Sequence, residues 1–115
     1  MCGYCLLLPD PVVAHLNAMP PTAQGAFLTD MACLGQVLQE ATGALRINYA
    51  MFGNLEPALH AHLFPRLASE PAHLRTAQPW AWDWSKARPF DPAVDGELQR
   101  LLRRRLDPGA PRPPA

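Results

Sequence analysis

Gly53-Asn54-Leu55-Glu56-Pro57-Ala58-Leu59-His60-Ala61-His62-Leu63-Phe64-Pro65-Arg66 is the stretch on which the reading of this chain turns. From residue 58 it alternates. Leu59, Ala61 and Leu63 fall on one side; Ala58, His60 and His62 fall on the other. That is the two-residue period of a strand over 58–64, with Pro65 as its stop. Two imidazoles then share one face, about 7 Å apart along the backbone at a rise of ~3.3 Å per residue. Gly53-Asn54 marks the turn that leads in. Imidazole titrates near neutrality, so such a pair suits nucleophilic attack, acid–base work or metal binding. The same spacing fits a solvated strand face. A zinc site would need two more ligands, and no close pair with metal-like spacing is present. Arg66, just past the strand, has the planar fork that clamps a phosphate. Asn54, in the loop, has an amide that donates to a phosphate oxygen.

Upstream, residues 44–52 also alternate. Leu45, Ile47, Tyr49 and Met51 share one face of a second strand. Before it, Phe27, Met31, Leu34, Val37, Leu38 and Ala41 recur at spacings of three and four. This is the apolar stripe of an amphipathic helix over 21–42, opened by Pro20-Pro21 and stopped by Gly43. The first apolar run, residues 3–8, predicts a strand ended by Pro9, then an extended segment through Val12 and Val13.

Downstream, residues 71–92 hold no period. Trp80, Trp82 and Trp84 alternate, which would set three indoles on one side of an extended segment, most simply as packing. Residues 93–106 predict a last helix carrying Arg100, Arg103, Arg104 and Arg105. Residues 107–115 are proline-rich and predict a disordered tail. The organisation expected is therefore a core of residues 1–70, an irregular Trp-rich segment 71–92, a basic helix 93–106 and a tail. The fold class is α+β: an antiparallel sheet with one long helix packed on it.

Composition bounds the function classes. The 115 residues are 49% hydrophobic, enough for one packed core. Proline makes up 14 of them, against a usual ~5%, which favours short elements with firm stops. Net charge is zero, but residues 1–84 carry three basic and six acidic side chains, and residues 85–115 carry seven and four. An overall basic footprint for nucleic acid is absent. No apolar run approaches a membrane span, and no signal peptide is visible. Three cysteines are an odd count without a disulfide framework, so a reduced, cytoplasmic setting is expected. Cys2-Gly3-Tyr4-Cys5 has CxxC spacing but no second pair, and chance explains it. His15 and His73 have no recognisable partners.

Residues 53–66 resemble the active-site strand of the histidine triad family. That motif is a loop ending Gly-Gln or Gly-Asn, then His-φ-His-φ-His-φ-φ with φ apolar, often followed by Pro-Arg. Gly53, Asn54 and the run Leu59–Arg66 fit it. Gly3–Leu8 with Pro9 resembles the family's opening Gly-x-x-Leu-Val-Ile-Pro strand, so the likeness spans residues 3–70. It implies a nucleotide phosphohydrolase or nucleotidyl transferase, of the diadenosine polyphosphate hydrolase kind, that acts at the α-phosphorus through a nucleotidyl-histidine. His60 falls on the nucleophile, and His62 on its phosphate-side partner. Asn54 falls on the phosphate-holding amide, and Asn48 near another polar position. A homodimer, a nucleotide as the small-molecule partner and no cofactor are implied with it. Two departures stand out. Ala58 replaces the leading histidine, and Val12 stands where many members carry a further one. The family's opening helix and hairpin have no counterpart here, so either an upstream start or a reduced domain is expected, and residues 3–8 become a mid-sheet strand. The alternatives are a catalytically weak or inactive nucleotide-binding or dimeric relative, and a small metal-binding module on His60 and His62.

Overall fold

In the computed structural model, residues 1–107 and residue 109 are described. All but two residues of the expected tail lie outside them. Three strands form one antiparallel sheet: β1 (Cys5–Leu7), β2 (Arg46–Ala50) and β3 (Ala61–Arg66), in the order β1-β3-β2. Among the described residues there are two α-helices, α1 (Pro21–Thr42) and α2 (Pro92–Leu106). The α+β class holds.

Helix α1 occupies the expected span. Pro21 sits where a missing N–H costs nothing, in the first turn. Gly43 ends the helix in the left-handed region at φ 69°, and its N–H donates to Gln39 O at 3.0 Å. The buried stripe Phe27, Leu34 and Leu38 meets Leu59, Ala61 and Leu63, with Met31, Ile47 and Leu102 packed around it. Leu38 and Leu63 are fully buried, each stabilising the fold by about 1.5–3 kcal/mol. Gly35 lies directly beneath the Tyr49 ring of β2. A Cβ there would run into the Tyr49 hydroxyl, so any larger residue would have to push that half-exposed ring aside.

β3 is central, and it corrects two sequence expectations. It runs 61–66 rather than 58–64, so His60 immediately precedes it and Pro65 lies inside it. A proline is tolerated here for a positional reason. Arg66 O accepts from Leu45 N at 2.9 Å, so residue 66 bonds toward the β2 side and residue 65 faces the other way. There β1 has already ended, since its last partner in that direction is Cys5 opposite Leu63. Pro65 therefore removes no ladder bond. The second correction concerns β1. It spans three residues and pairs with β3 alone, so among the described residues it is an edge strand and not a mid-sheet one.

α2 begins at Pro92, one residue earlier than expected. Asp91 caps it by accepting from Ala93 N at 2.9 Å. Arg88 clamps Asp95 with two 2.9 Å bonds, and Arg105 reaches Glu40 of α1 at 2.6 Å. Arg100, Arg103 and Arg104 are exposed. Among the described residues no helix is long and apolar enough to cross a membrane.

Candidate active site

The register of β3 sets the site. Leu59, Ala61 and Leu63 face α1, so His62 and Phe64 face the opposite side of the sheet. Ala50 of β2 and Leu6 of β1 flank His62. His60 lies one step before the strand, with its ring centroid 4.8 Å from that of His62 and the two rings edge to face.

His60 Nδ1 lies 2.8 Å from Ala58 O. A carbonyl only accepts, so Nδ1 carries the proton and donates it there. In the neutral tautomer this fixes, Nε2 keeps its lone pair. The group that orients His60 is the main chain at position 58, the same position where the leading histidine is replaced by alanine. His62 Nδ1 is held by the Tyr4 hydroxyl at 2.6 Å. Burial first, and the neighbouring His60 second, hold the His62 pKa below the usual imidazole range, so it is neutral at pH 7.

An aromatic shell surrounds His62. Tyr4 stacks on Phe64 at 4.8 Å, and Phe64 lies nearly parallel to His62 at 5.8 Å. Trp84 tilts against Tyr4 and Phe64 at 5.3 and 5.9 Å. On the other side Phe52 lies 6.1 Å from His62 and meets Trp80 edge-on at 5.7 Å. A cleft of about 200 Å³ opens beside this shell, lined by Asn48, Ala50, Phe52, Phe64, Gln78 and Trp80 among others.

The three indoles do not share one side of an extended segment. Two short 3₁₀ turns, Pro79–Ala81 and Trp84–Lys86, break the alternation. Trp80 is exposed beside Phe52, Trp82 donates to Glu70 Oε1 at 3.1 Å, and Trp84 donates to Pro79 O at 3.0 Å.

Arg66 is only 4% exposed. Its Nε donates to both oxygens of Glu70 at 3.2 Å. Nη1 donates to Asn48 Oδ1 at 2.8 Å and to Ala77 O at 2.7 Å, and Nη2 donates to Leu74 O at 2.7 Å. Nη2 also lies 3.2 Å from Glu70 Oε1. The fork that suited a phosphate clamp is therefore directed inward, tying β2, β3 and residues 70–77 together. Asn48 enters the cleft lining with its oxygen taken by Arg66 and its amide N–H groups left over. Asn54 lies in the exposed loop before His60, where Gly53 adopts φ 68°. The loop carries Leu55, which is fully exposed. Among the described residues no three His, Cys, Asp or Glu side chains gather as a metal set. Cys2, Cys5 and Cys33 are free thiols.

Tyr4, Phe52 and Glu70 carry no local sequence signal for these roles. The only hint for Tyr4 was its place two residues from Leu6 on the face opposite Cys5, which becomes informative once β1 is registered against β3.

No family model matches the sequence, and a search of curated proteins returns no match. Solved structures do match. A histidine triad protein from Sinorhizobium meliloti 1021 aligns at a TM-score of 0.72 and 23% identity, over 86% of this chain and 71% of that one. One from Bradyrhizobium japonicum aligns at 0.71 and 26% identity, over 88% of this chain and 73% of that one. The chain has a histidine triad fold. A third histidine triad protein, from Marinobacter aquaeolei VT8, aligns at 0.65 and 26% identity, over 87% of this chain and 74% of that one. The alignments reach past the motif-bearing residues 3–70, so the histidine triad likeness extends into the part of the chain where the sequence showed no pattern.

Proposed function

We propose that this chain attacks the α-phosphorus of a nucleoside phosphoester, anhydride or phosphoramidate with His60. The observation that carries the proposal is the 2.8 Å bond from His60 Nδ1–H to Ala58 O, which in the neutral ring makes Nε2 the nitrogen that can attack. In the first half-reaction the Nε2 lone pair forms a bond to phosphorus. The phosphorus–leaving-group bond breaks, and its electron pair departs with the leaving group. The imidazole then carries a positive charge, which the Ala58 carbonyl stabilises at Nδ1–H. In the second half-reaction a water oxygen bonds to phosphorus, the phosphorus–Nε2 bond returns its pair to the ring, and the water proton passes to solvent. His62, Asn54 and the free N–H groups of Asn48 supply hydrogen bonds to the phosphoryl oxygens, where charge grows in the transition state. Arg66 contributes by holding Asn48 in place. The nucleotide class rests on the histidine triad fold and the motif Leu59–Arg66; the choice between anhydride, ester and phosphoramidate is part of the proposal.

The test is a single-turnover incubation of excess protein with an adenosine phosphoramidate and, separately, with a dinucleoside polyphosphate. AMP release is expected, with a nucleotidyl-histidine trapped on rapid quench in alkali. His60→Ala should lose both, a fall of at least ~10³-fold for loss of a covalent nucleophile. If wild type and His60→Ala are equally inert and no adduct is trapped, the enzymatic reading fails.

A further inference from the structure

A neutral imidazole has one N–H, and its partners decide which nitrogen bears it. Tyr4 Oη lies 2.6 Å from His62 Nδ1. Two arrangements satisfy that distance. Either the phenol donates to a bare Nδ1, or Nδ1–H donates to the phenol oxygen. The second leaves the phenol hydrogen in need of its own acceptor. The rings packed on Tyr4 are Phe64, His62 and Trp84. Neither Phe64 nor the Trp84 indole offers an acceptor, the indole N–H being a donor only. Among the described residues Tyr4 Oη has no hydrogen-bond partner besides His62. The first arrangement gives the phenol hydrogen an acceptor within the protein, whereas the second turns it out to solvent from a half-buried ring.

We infer that Tyr4 is a positioning residue of this site, its phenol O–H donating to His62 Nδ1 and holding the His62 proton on Nε2. The inference rests on the proposed nucleotide chemistry only for what the Nε2–H then touches, namely a phosphoryl oxygen. The consequence is a division of labour between two identical side chains. A main-chain acceptor at His60 Nδ1 leaves a lone pair on His60 Nε2. A phenol donor at His62 Nδ1 leaves an N–H on His62 Nε2. One ring attacks and the other donates. Tyr4 thus gives the site a further polar side chain in a chain that has Ala58 where the histidine triad motif has its leading histidine.

The surroundings of His62 bear on its charge. On the β1 side Tyr4 is the titratable neighbour, with Cys5 next to it on the opposite face. His60 is the titratable neighbour from its own segment. Ala50 of β2, Phe52, Phe64 and Trp84 are uncharged. Burial raises Tyr4 above the usual phenol range, so its hydroxyl keeps the hydrogen that it donates. Burial and His60 both disfavour the His62 imidazolium. The placement of a single proton on a neutral ring therefore decides what His62 offers a substrate.

Tyr4→Phe removes the hydroxyl and keeps the ring that stacks on Phe64. Long-range ¹⁵N–¹H correlation spectra of the unliganded protein read the His62 proton directly, with no dependence on any activity. Wild type should show the proton on Nε2; Tyr4→Phe, with a folded spectrum otherwise unchanged, should shift His62 toward Nδ1–H. In turnover, Tyr4→Phe should lower kcat by about tenfold at pH 8, the size of one hydrogen bond to a charged group, with little change in KM. The deficit should shrink as pH falls and His62 becomes an imidazolium, which carries an N–H on both nitrogens. A His62 proton on Nδ1 in wild type, or a tautomer indifferent to Tyr4→Phe, overturns the inference. A kcat ratio that is constant across pH overturns its functional half. Should the protein prove inert on nucleotides, the spectra still decide the proton's place.

Discussion

At His60 the orienting partner is the main-chain oxygen of Ala58, and no side chain is needed there. That bears on the missing first histidine of the motif. Ala58→Ser should leave the single-turnover rate within about twofold, as for a substitution that disturbs no buried feature. A fall comparable to that of His60→Ala, measured in the same quench assay, would show that position 58 acts through its side chain. The imidazole pair itself was legible in sequence, because alternation over five residues fixes which side chains share a face. The partner of His62 was not. Tyr4 is 58 positions away in the chain, and only the pairing of Leu6 with His62 brings it alongside. Arg66 was legible as a residue beside the site but not in its direction. A guanidinium next to a strand end serves a phosphate or an internal carboxylate equally well, and Glu70 settles it.

Among the elements, α1 followed from local rules alone. Proline at its start, glycine at its end and a stripe at helical spacing are all properties of near neighbours. β3 did not, because whether Pro65 ends a strand depends on whether a neighbouring strand needs its N–H. The segment 67–86 owes its path to the buried pair Arg66–Glu70. Glu70 also accepts from Leu67 N at 2.8 Å and from the Trp82 indole. Glu70→Ala leaves Arg66 buried without its counter-charge, and should cost about 3–5 kcal/mol in urea unfolding followed by far-ultraviolet dichroism. The double change Arg66→Met with Glu70→Leu should cost markedly less, since no orphan charge remains. Equal losses in the two variants would mean that the ion pair is not what holds the segment.

For the whole molecule, pH acts on stability through His62 first. Its pKa is lowered in the fold, so below the ordinary value of ~6.5 the unfolded chain binds a proton that the folded chain resists. The contribution is intact above about pH 6.5 and is lost as pH falls through the folded pKa. The urea midpoint should therefore hold steady from pH 8 to 7 and decline below that; His62→Phe should remove this part of the decline. A second loss belongs to Asp95, which Arg88 holds down at about 2; its contribution disappears between the usual carboxylate range and that value. A midpoint in wild type that is flat from pH 7 to 5 would contradict the neutral, half-buried His62.

What the sequence determined by itself was the set of local periods: the stripe of α1, the alternation of Leu59, Ala61 and Leu63, and two imidazoles opposite them. Those patterns depend on residues within a few positions of one another, where backbone geometry leaves little choice. The tertiary structure decided the partners. It placed Tyr4 on His62, turned Arg66 onto Glu70 and Asn48, sent the three indoles to separate places, and let Pro65 lie inside the central strand. Each of those outcomes depends on the register between distant segments. Register is set by burial of the whole core against α1, and no short stretch of sequence contains it.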